Sequence, residues 1–417
     1  MLAFAKRNFR WLAGGFLLTA FSSFGQTYFV SASVAEWQEA FALSQGQFGR
    51  LYMLATLASA CCLPFVGRLV DVMPTHRLVA LVVTSLAGAA VLAGFASSVA
   101  MLTVGIFLLR LLGQGMMTHI ALTATGRWFS ASRGRAVSLV VLGHQAGEAT
   151  LPLSFAGLSL AFGYRAGWLA AAGMLLLIAL PLASWAYWKP RTPLAEHADD
   201  PQPRFVGRNW TRAEVLGDPI FWVLLIGVLA PPFIGTTIFY HQDYLATLNG
   251  WAPQLFPSAL IPMAITTVCV ALLTGGIIDR VGAVRVLPLY LLPLACACFA
   301  MALSGPAWSL FVAMFLLGIS YGVSSTLLGA LWPEIYGVLN LGAIRSVIVS
   351  AMVLATAAGP GITGTLIDWG VDLPRQMNWL GGYCLVAVGA MSLASRYLKK
   401  REGNGASQRP GPVANRS

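Results

Sequence analysis

Charge is scarce in this 417-residue sequence: 10% of it is Asp, Glu, Lys or Arg, where soluble domains carry about 25%. With 57% hydrophobic residues and a mean hydropathy of +0.73, that scarcity excludes a soluble domain. Phosphate-binding loops of the GxxxxGK[ST] type are missing, so nothing points to an ATP-driven pump. The six cysteines all lie in apolar runs and show neither zinc-ligand nor CxxC spacing. They read as small buried hydrophobes, and neither a metal nor a cofactor is expected. Acids and histidines do not cluster at a membrane interface, which disfavours a membrane enzyme.

What is present is a series of long apolar runs. Each can cross the ~30 Å hydrocarbon core as a helix, and none alternates as barrel strands do. They predict an all-α membrane protein with twelve transmembrane helices, at about 11–34, 47–70, 78–98, 100–125, 136–162, 166–188, 219–242, 256–278, 284–304, 307–331, 343–367 and 377–398. The expected organisation is an N-terminal six-helix half (1–188), a central loop (189–218), a C-terminal six-helix half (219–398) and a disordered basic tail (399–417).

Of the 26 Lys and Arg, 22 fall in loops on the side of the chain start, three (Arg50, Arg165, Arg375) on the opposite side, and Arg110 inside a span. That bias puts both termini in the cytoplasm of an inner (plasma) membrane protein. The formal net charge of +11 is therefore a topology signal, and a nucleic-acid partner is not expected.

The run Gly67 to Arg77, with Asp71 inside it, has a cousin 208 residues later in Gly275, Asp279, Arg280 and Arg285. Phe107–Arg110 and Phe315–Gly318, Gly134 and Gly342, and Ser138 and Ser346 share that offset. One offset serving several loops and spans predicts two homologous, pseudo-symmetric halves with a substrate site at the midplane between them. Asp71 lies at a helix end within reach of helix N-termini and loop arginines, as a breakable latch requires. Gly67 lets a neighbouring helix approach.

These motifs resemble the Major Facilitator Superfamily. Its loop 2–3 signature is met by Gly67, Leu69, Asp71 and Arg77, with Pro74 in place of a glycine, and more fully by Asp279, Arg280, Gly282 and Arg285. Its span-4 signature is similar to Arg110-Leu111-Leu112-Gly113-Gln114-Gly115. The resemblance implies alternating access and makes Gly67, Asp71, Arg77, Gly275, Asp279, Arg280 and Arg285 a cytoplasmic gate. Gly359-Pro360-Gly361-Ile362-Thr363-Gly364 and Trp332-Pro333-Glu334 resemble the monocarboxylate and oxalate–formate branch, although span 8 carries no charge. Span 5 lacks the Gly-Pro signature of drug antiporters, which disfavours efflux.

Ionisable residues inside a membrane are costly and mark function. Arg110 and Glu148 fall about 15 and 18 Å from the nearest ends of spans 4 and 5, at similar depth. His144 lies one turn from Glu148, and Gln114 one turn from Arg110. An Arg110–Glu148 pair is expected either to bind an anion and pass a proton or to be a permanent structural ion pair. Gln26, Tyr28, Tyr240, His241 and Tyr321 are further candidates to line the pathway. The sequence thus predicts a secondary transporter of a small organic solute, preferably a carboxylate, coupled to H⁺ and acting as a monomer in the bilayer. A drug or metabolite exporter is the alternative, and a non-transporting membrane sensor a weaker one.

Overall fold

The structure is a computed structural model of the chain and describes residues 2–129, 133–189, 209–303, 305–337 and 340–407. Every regular element among the described residues is helical, as a chain in hydrocarbon requires: a helix pairs its own backbone groups. In the leading segment the long helices are α1 (Phe9–Phe21), α2 (Gln45–Val66), α3 (Thr75–Gly94), α4 (Val99–Trp128), α5 (Arg133–Phe162) and α6 (Tyr164–Tyr187). In the trailing segment they are α7 (Pro219–Tyr240), α8 (Leu255–Val281), α9 (Ala283–Ala302), α10 (Ala307–Tyr336), α11 (Leu341–Asp368) and α12 (Leu373–Ser407). Ten of them are long and apolar enough to cross a membrane. The two others are α1, interrupted by a tight turn at Ser22–Gly25, and α5, which carries His144, Gln145 and Glu148. Large apolar side chains such as Leu177, Leu272, Leu303 and Val386 point outward, as a lipid-facing surface requires. The chain is an integral membrane protein.

The 208-residue offset recurs in the helix boundaries. Thr75 and Ala283, Gly94 and Ala302, Val99 and Ala307, and Trp128 and Tyr336 are all 208 positions apart. So are Arg133 and Leu341, where α5 and α11 begin. The restart after the acidic motif needs a chain reversal in both copies. Pro74 makes it in the first, and Gly282, at φ +85°, in the second. A left-handed φ is open to glycine at little cost.

Two seams join the segments: α2 packs along α11, and α5 along α8. Glycine brings α2 close. A methyl at Gly49 would run into the carbonyl of Pro360, and one at Gly361 would sit 2.9 Å from Met53 Sδ. On the side away from the termini (the far side), hydrogen bonds cross between the segments. Ser44 Oγ and the Gly46 amide donate to Asp368 (2.6 and 3.1 Å), Arg50 to Thr365 Oγ1 (3.1 Å), Ser31 Oγ to the Phe239 carbonyl (2.6 Å), and Gln242 to Ser31 Oγ (3.1 Å).

Residues 190–208 of the central loop lie outside the described residues, but its last part is ordered. Thr211 and Glu214 cap a short helix, Arg212–Leu216, and the Trp210 amide donates to the Tyr336 carbonyl. The tail expected to be disordered from Lys399 instead extends α12 to Ser407, while 408–417 lie outside the described residues. Arg401 anchors it: the guanidinium pairs with Asp218 at 3.1 Å and stacks over Trp210 at 4.3 Å. The cysteines also depart from expectation. Cys298 and Cys384 are buried, whereas Cys61, Cys269 and Cys296 are exposed on the apolar outer surface.

Candidate functional site

A cavity of about 490 Å³ lies between the segments. Its leading-segment wall is polar throughout: Gln26, Thr27 and Tyr28 from the α1 region, Gln114 from α4, and His144, Gln145 and Glu148 from α5. The opposite wall, from α7, α8, α10 and α11, is mostly apolar, with Pro231, Pro232, Phe239, Trp332, Val349 and Met352 among its residues. The lining runs to Trp332 and Arg345, at the terminal-side ends of α10 and α11, so the cavity is reached from that side.

Local sequence sets this geometry. The turn at Ser22–Gly25 ends α1, and Gln26 adopts extended backbone (φ −83°, ψ 155°) before helix resumes at Thr27. That break turns Gln26, Thr27 and Tyr28 toward the cavity. Gly143 and Gly147 bring α5 onto α1; a methyl at Gly147 would lie 3.0 Å from the Ala20 carbonyl carbon. His144, Gln145 and Glu148 are left to face inward. The Tyr28 hydroxyl lies 2.9 Å from Ser23 Oγ, and its ring meets His144 and Phe239 edge-on, both at 6.1 Å. Phe239 in turn meets Tyr321 at 6.2 Å, and Tyr321 rests on Gly235, which has no side chain to displace it. Glu148, 3% exposed, is close enough to act electrostatically on both tyrosine hydroxyls.

Gln26, Tyr28, Gln114, His144, Glu148 and Tyr321 thus share one cavity. Arg110, Tyr240 and His241 do not line it. The expected Arg110–Glu148 pair is not formed: Arg110 makes no ion pair among the described residues. Its Nη1 donates to the Gly25 carbonyl (3.0 Å) and Thr27 Oγ1 (3.3 Å), and the guanidinium lies over the Tyr52 ring at 5.5 Å. Nε and Nη2 are buried without a hydrogen-bond partner among the described residues. The reason is local. From Arg110 to Met117 the helix widens to i→i+5 bonding. That wider turn shifts the i, i+4 register, so Gln114 reaches the cavity while Arg110 is directed at the α1 break.

Tyr240 and His241 belong to the far-side closure. Tyr240 packs on Tyr52 (5.1 Å) and Phe48 (6.2 Å), and His241 Nε2 lies 2.8 Å from Thr363 Oγ1. They line a smaller cavity of about 120 Å³ with Gln38, Gln45, Asp243 and Tyr244. Burial pushes the Asp243 carboxyl up to about 7, with nearby Glu36 of the helix Val34–Phe41 adding to the effect and the Ala35 backbone opposing it. Burial also raises Glu36. Asp243 Oδ2 has no hydrogen-bond partner among the described residues. The carboxyl's proton is therefore held most firmly while the far side is closed. Opening the far side hydrates Asp243 and returns it toward 3.8. The closed-to-open ratio should then be highest below pH 4, fall by up to about tenfold per pH unit from there to 7, and level off above 7. Spin-label distances between the exposed positions Glu39 and Leu248 should lengthen over that interval, and Asp243→Asn should flatten the response. A wild-type distance independent of pH would contradict this account.

On the terminal side, Gly67 faces His119, whose Nε2 would lie 3.3 Å from a methyl there. Gly275 has only an ordinary contact, Thr326 Cγ2 at 3.8 Å, so the close approach is not repeated in the second copy. Arg77, Arg280 and Arg285 are exposed, and the Asp71 and Asp279 side chains lie outside the described residues. In the second copy Glu334 accepts from the Ala283 (2.7 Å) and Val284 (3.2 Å) amides at the helix restart. The sequence matches the description Major Facilitator Superfamily over residues 15–360. The chain belongs to that superfamily. Members of the Major Facilitator Superfamily are transporters, not enzymes.

Solved structures with the same fold include a bacterial homologue of the human lysosomal transporter Spinster in an inward-facing, occupied conformation. It is 16% identical, with 96% of this chain and 98% of that one covered, at a TM-score of 0.65. The same homologue, inward-facing and unoccupied, gives 16% identity, 97% and 99% coverage and a TM-score of 0.67. A D-xylose–proton symporter gives 15% identity, 92% and 97% coverage and a TM-score of 0.71. No curated protein matches the chain. Within this superfamily fold, sequence reasoning missed the cavity cation. Arg345 counts as a loop charge in the sequence, yet it lines the cavity mouth.

Proposed function

We propose that the chain is a secondary transporter that moves a small organic solute by alternating access, with H⁺ as the coupling ion. The observation that carries this reading is the 490 Å³ cavity, lined by both segments and lying below far-side hydrogen bonds that join them. The recurrence of helix boundaries at 208 residues supports a twelve-span protein of two related halves, 1–188 and 219–398. The distribution of Lys and Arg supports cytoplasmic termini in an inner membrane. The cavity is then inward-facing. Gly67, Asp71, Arg77, Gly275, Asp279, Arg280 and Arg285 form the gate that closes when the cavity turns outward.

A carboxylate remains the preferred cargo, but Arg345, not Arg110, is the guanidinium that meets it. An anion sharing the cavity with ionised Glu148 is repelled; a proton on Glu148 removes that repulsion. Solute and proton are therefore favoured together, with His144 beside them as a relay. This fits the monocarboxylate and oxalate–formate branch. The apolar wall favours a second reading, a metabolite exporter of the same fold.

The test is purified protein in liposomes, given a pH jump in the presence of small carboxylates. Carboxylate uptake with matching alkalinisation of the outside medium is expected. Solute flux without proton movement would refute coupling, and no flux of any solute would refute transport.

A further inference from the structure

The two walls of the central cavity differ in chemistry, and that difference constrains the cargo. All seven leading-segment residues that line it carry hydrogen-bonding side chains. The facing wall is mostly apolar, with the hydroxyls of Thr236, Thr267, Ser324, Ser325 and Thr356 set among its apolar residues. On α11, Arg345, Ile348, Val349, Met352 and Thr356 fall on one helix face, about 16 Å long at 1.5 Å per residue. On α10 a parallel face runs from Tyr321 through Ser324, Ser325 and Leu328 to Trp332, polar at its inner end and apolar toward the mouth. Pro231 and Pro232 on α7 complete it. Among the described residues, the side-chain oxygen of Gln145 on the polar wall and Ser324 Oγ on the other have no hydrogen-bond partner.

A small hydrophilic acid would satisfy the polar wall and leave the apolar wall in contact with water. A sugar would do the same. A purely apolar solute would strand Gln26, Gln114, Gln145 and Arg345. Resting on the transport reading above, we propose that the cargo is an amphipathic organic acid. Its aromatic or branched aliphatic body lies along α7, α10 and α11, its hydrogen-bonding groups meet Gln145 and its glutamine neighbours, and its negative charge lies toward Arg345. Apolar area removed from water supplies affinity in proportion to its size, so binding should strengthen with the body at constant charge.

The test is isothermal titration of the full-length protein in detergent with 3-phenylpropionate, acetate, 3-phenylpropionamide and glucose. 3-Phenylpropionate is expected to bind at least tenfold more tightly than acetate or glucose, and at least fivefold more tightly than its uncharged amide. Val349 is 53% exposed, so Val349→Asn alters the wall without disturbing the core. It should narrow the gap between 3-phenylpropionate and acetate at least fivefold, and Arg345→Gln should abolish the preference for acid over amide. Equal binding of acetate, equal binding of glucose, no binding by any of the four, or an unchanged gap in Val349→Asn would each overturn the proposal. Liposome flux with the same acids separates the two readings. Selective binding without flux would refute transport and leave the cargo assignment standing. Flux of acetate without selective binding would refute the assignment and leave transport standing.

Discussion

Gly25→Ala is expected to lower the thermal unfolding midpoint sharply and to reduce transport at least tenfold. At Gly25 the backbone of the α1 break lies directly on the widened turn of α4. A methyl there would run into the Leu109 carbonyl and lie 2.7 Å from the Gln114 amide and 2.8 Å from Gly113 Cα. All three are backbone atoms, so the two helices must separate. Overpacking alone costs about 1–3 kcal/mol. Separation also strains the bond from Arg110 to the Gly25 carbonyl, and a hydrogen bond to a charged group is worth about 1.5–3 kcal/mol. Gly88→Ala is the control, since a methyl there meets nothing within 4 Å. If the two variants melt and transport alike, close backbone approach is not what holds α1 against α4.

Glu148→Gln should abolish accumulation driven by a proton gradient, by at least 100-fold, while solute exchange at equal pH continues. Glu148 is the one carboxylate among the lining residues, and it shares the cavity with Tyr28 from one segment and Tyr321 from the other. Glutamine keeps the shape and the hydrogen-bonding capacity but cannot gain or lose a proton. Counterflow and pH-jump uptake in the same liposomes separate the two activities. Undiminished accumulation in the variant would remove Glu148 as the proton carrier. Loss of counterflow as well would assign it to binding the solute instead.

The helices were legible because hydropathy is a property of composition, and a 20-residue apolar run has one economical structure in lipid. The repeat was legible in the acidic motifs, and the helix ends agree with it to the residue at Thr75 and Ala283. Depth along a helix was legible too, and it placed Glu148, His144 and Gln114 near the cavity. Direction around a helix was not. The register of Arg110 depends on a widened turn that packs against Gly25 through Gly113, a contact between positions 88 residues apart with no local signature. Arg345 was misjudged for a related reason. A charge at a helix end resembles a topology charge until the neighbouring helices show that it faces a cavity. The contacts of Arg401 with Asp218 and Trp210 join positions farther apart still in sequence.

The hydrogen bond from Ser31 to the Phe239 carbonyl joins residues 208 positions apart, the same interval that separates the repeated helices. An object and its copy under a twofold rotation can meet only where the rotation leaves space unmoved. Under the two-half arrangement proposed above, this contact marks where the axis relating the halves passes through the far side. A rigid tilt about that point displaces each atom in proportion to its distance from it. Helix ends about 30 Å away across the bilayer travel about 0.5 Å per degree, while Ser31 and Phe239 scarcely shift. The mouth that holds Arg345 and Trp332 therefore sweeps farthest as it closes, and opening the far side then requires this bond to break.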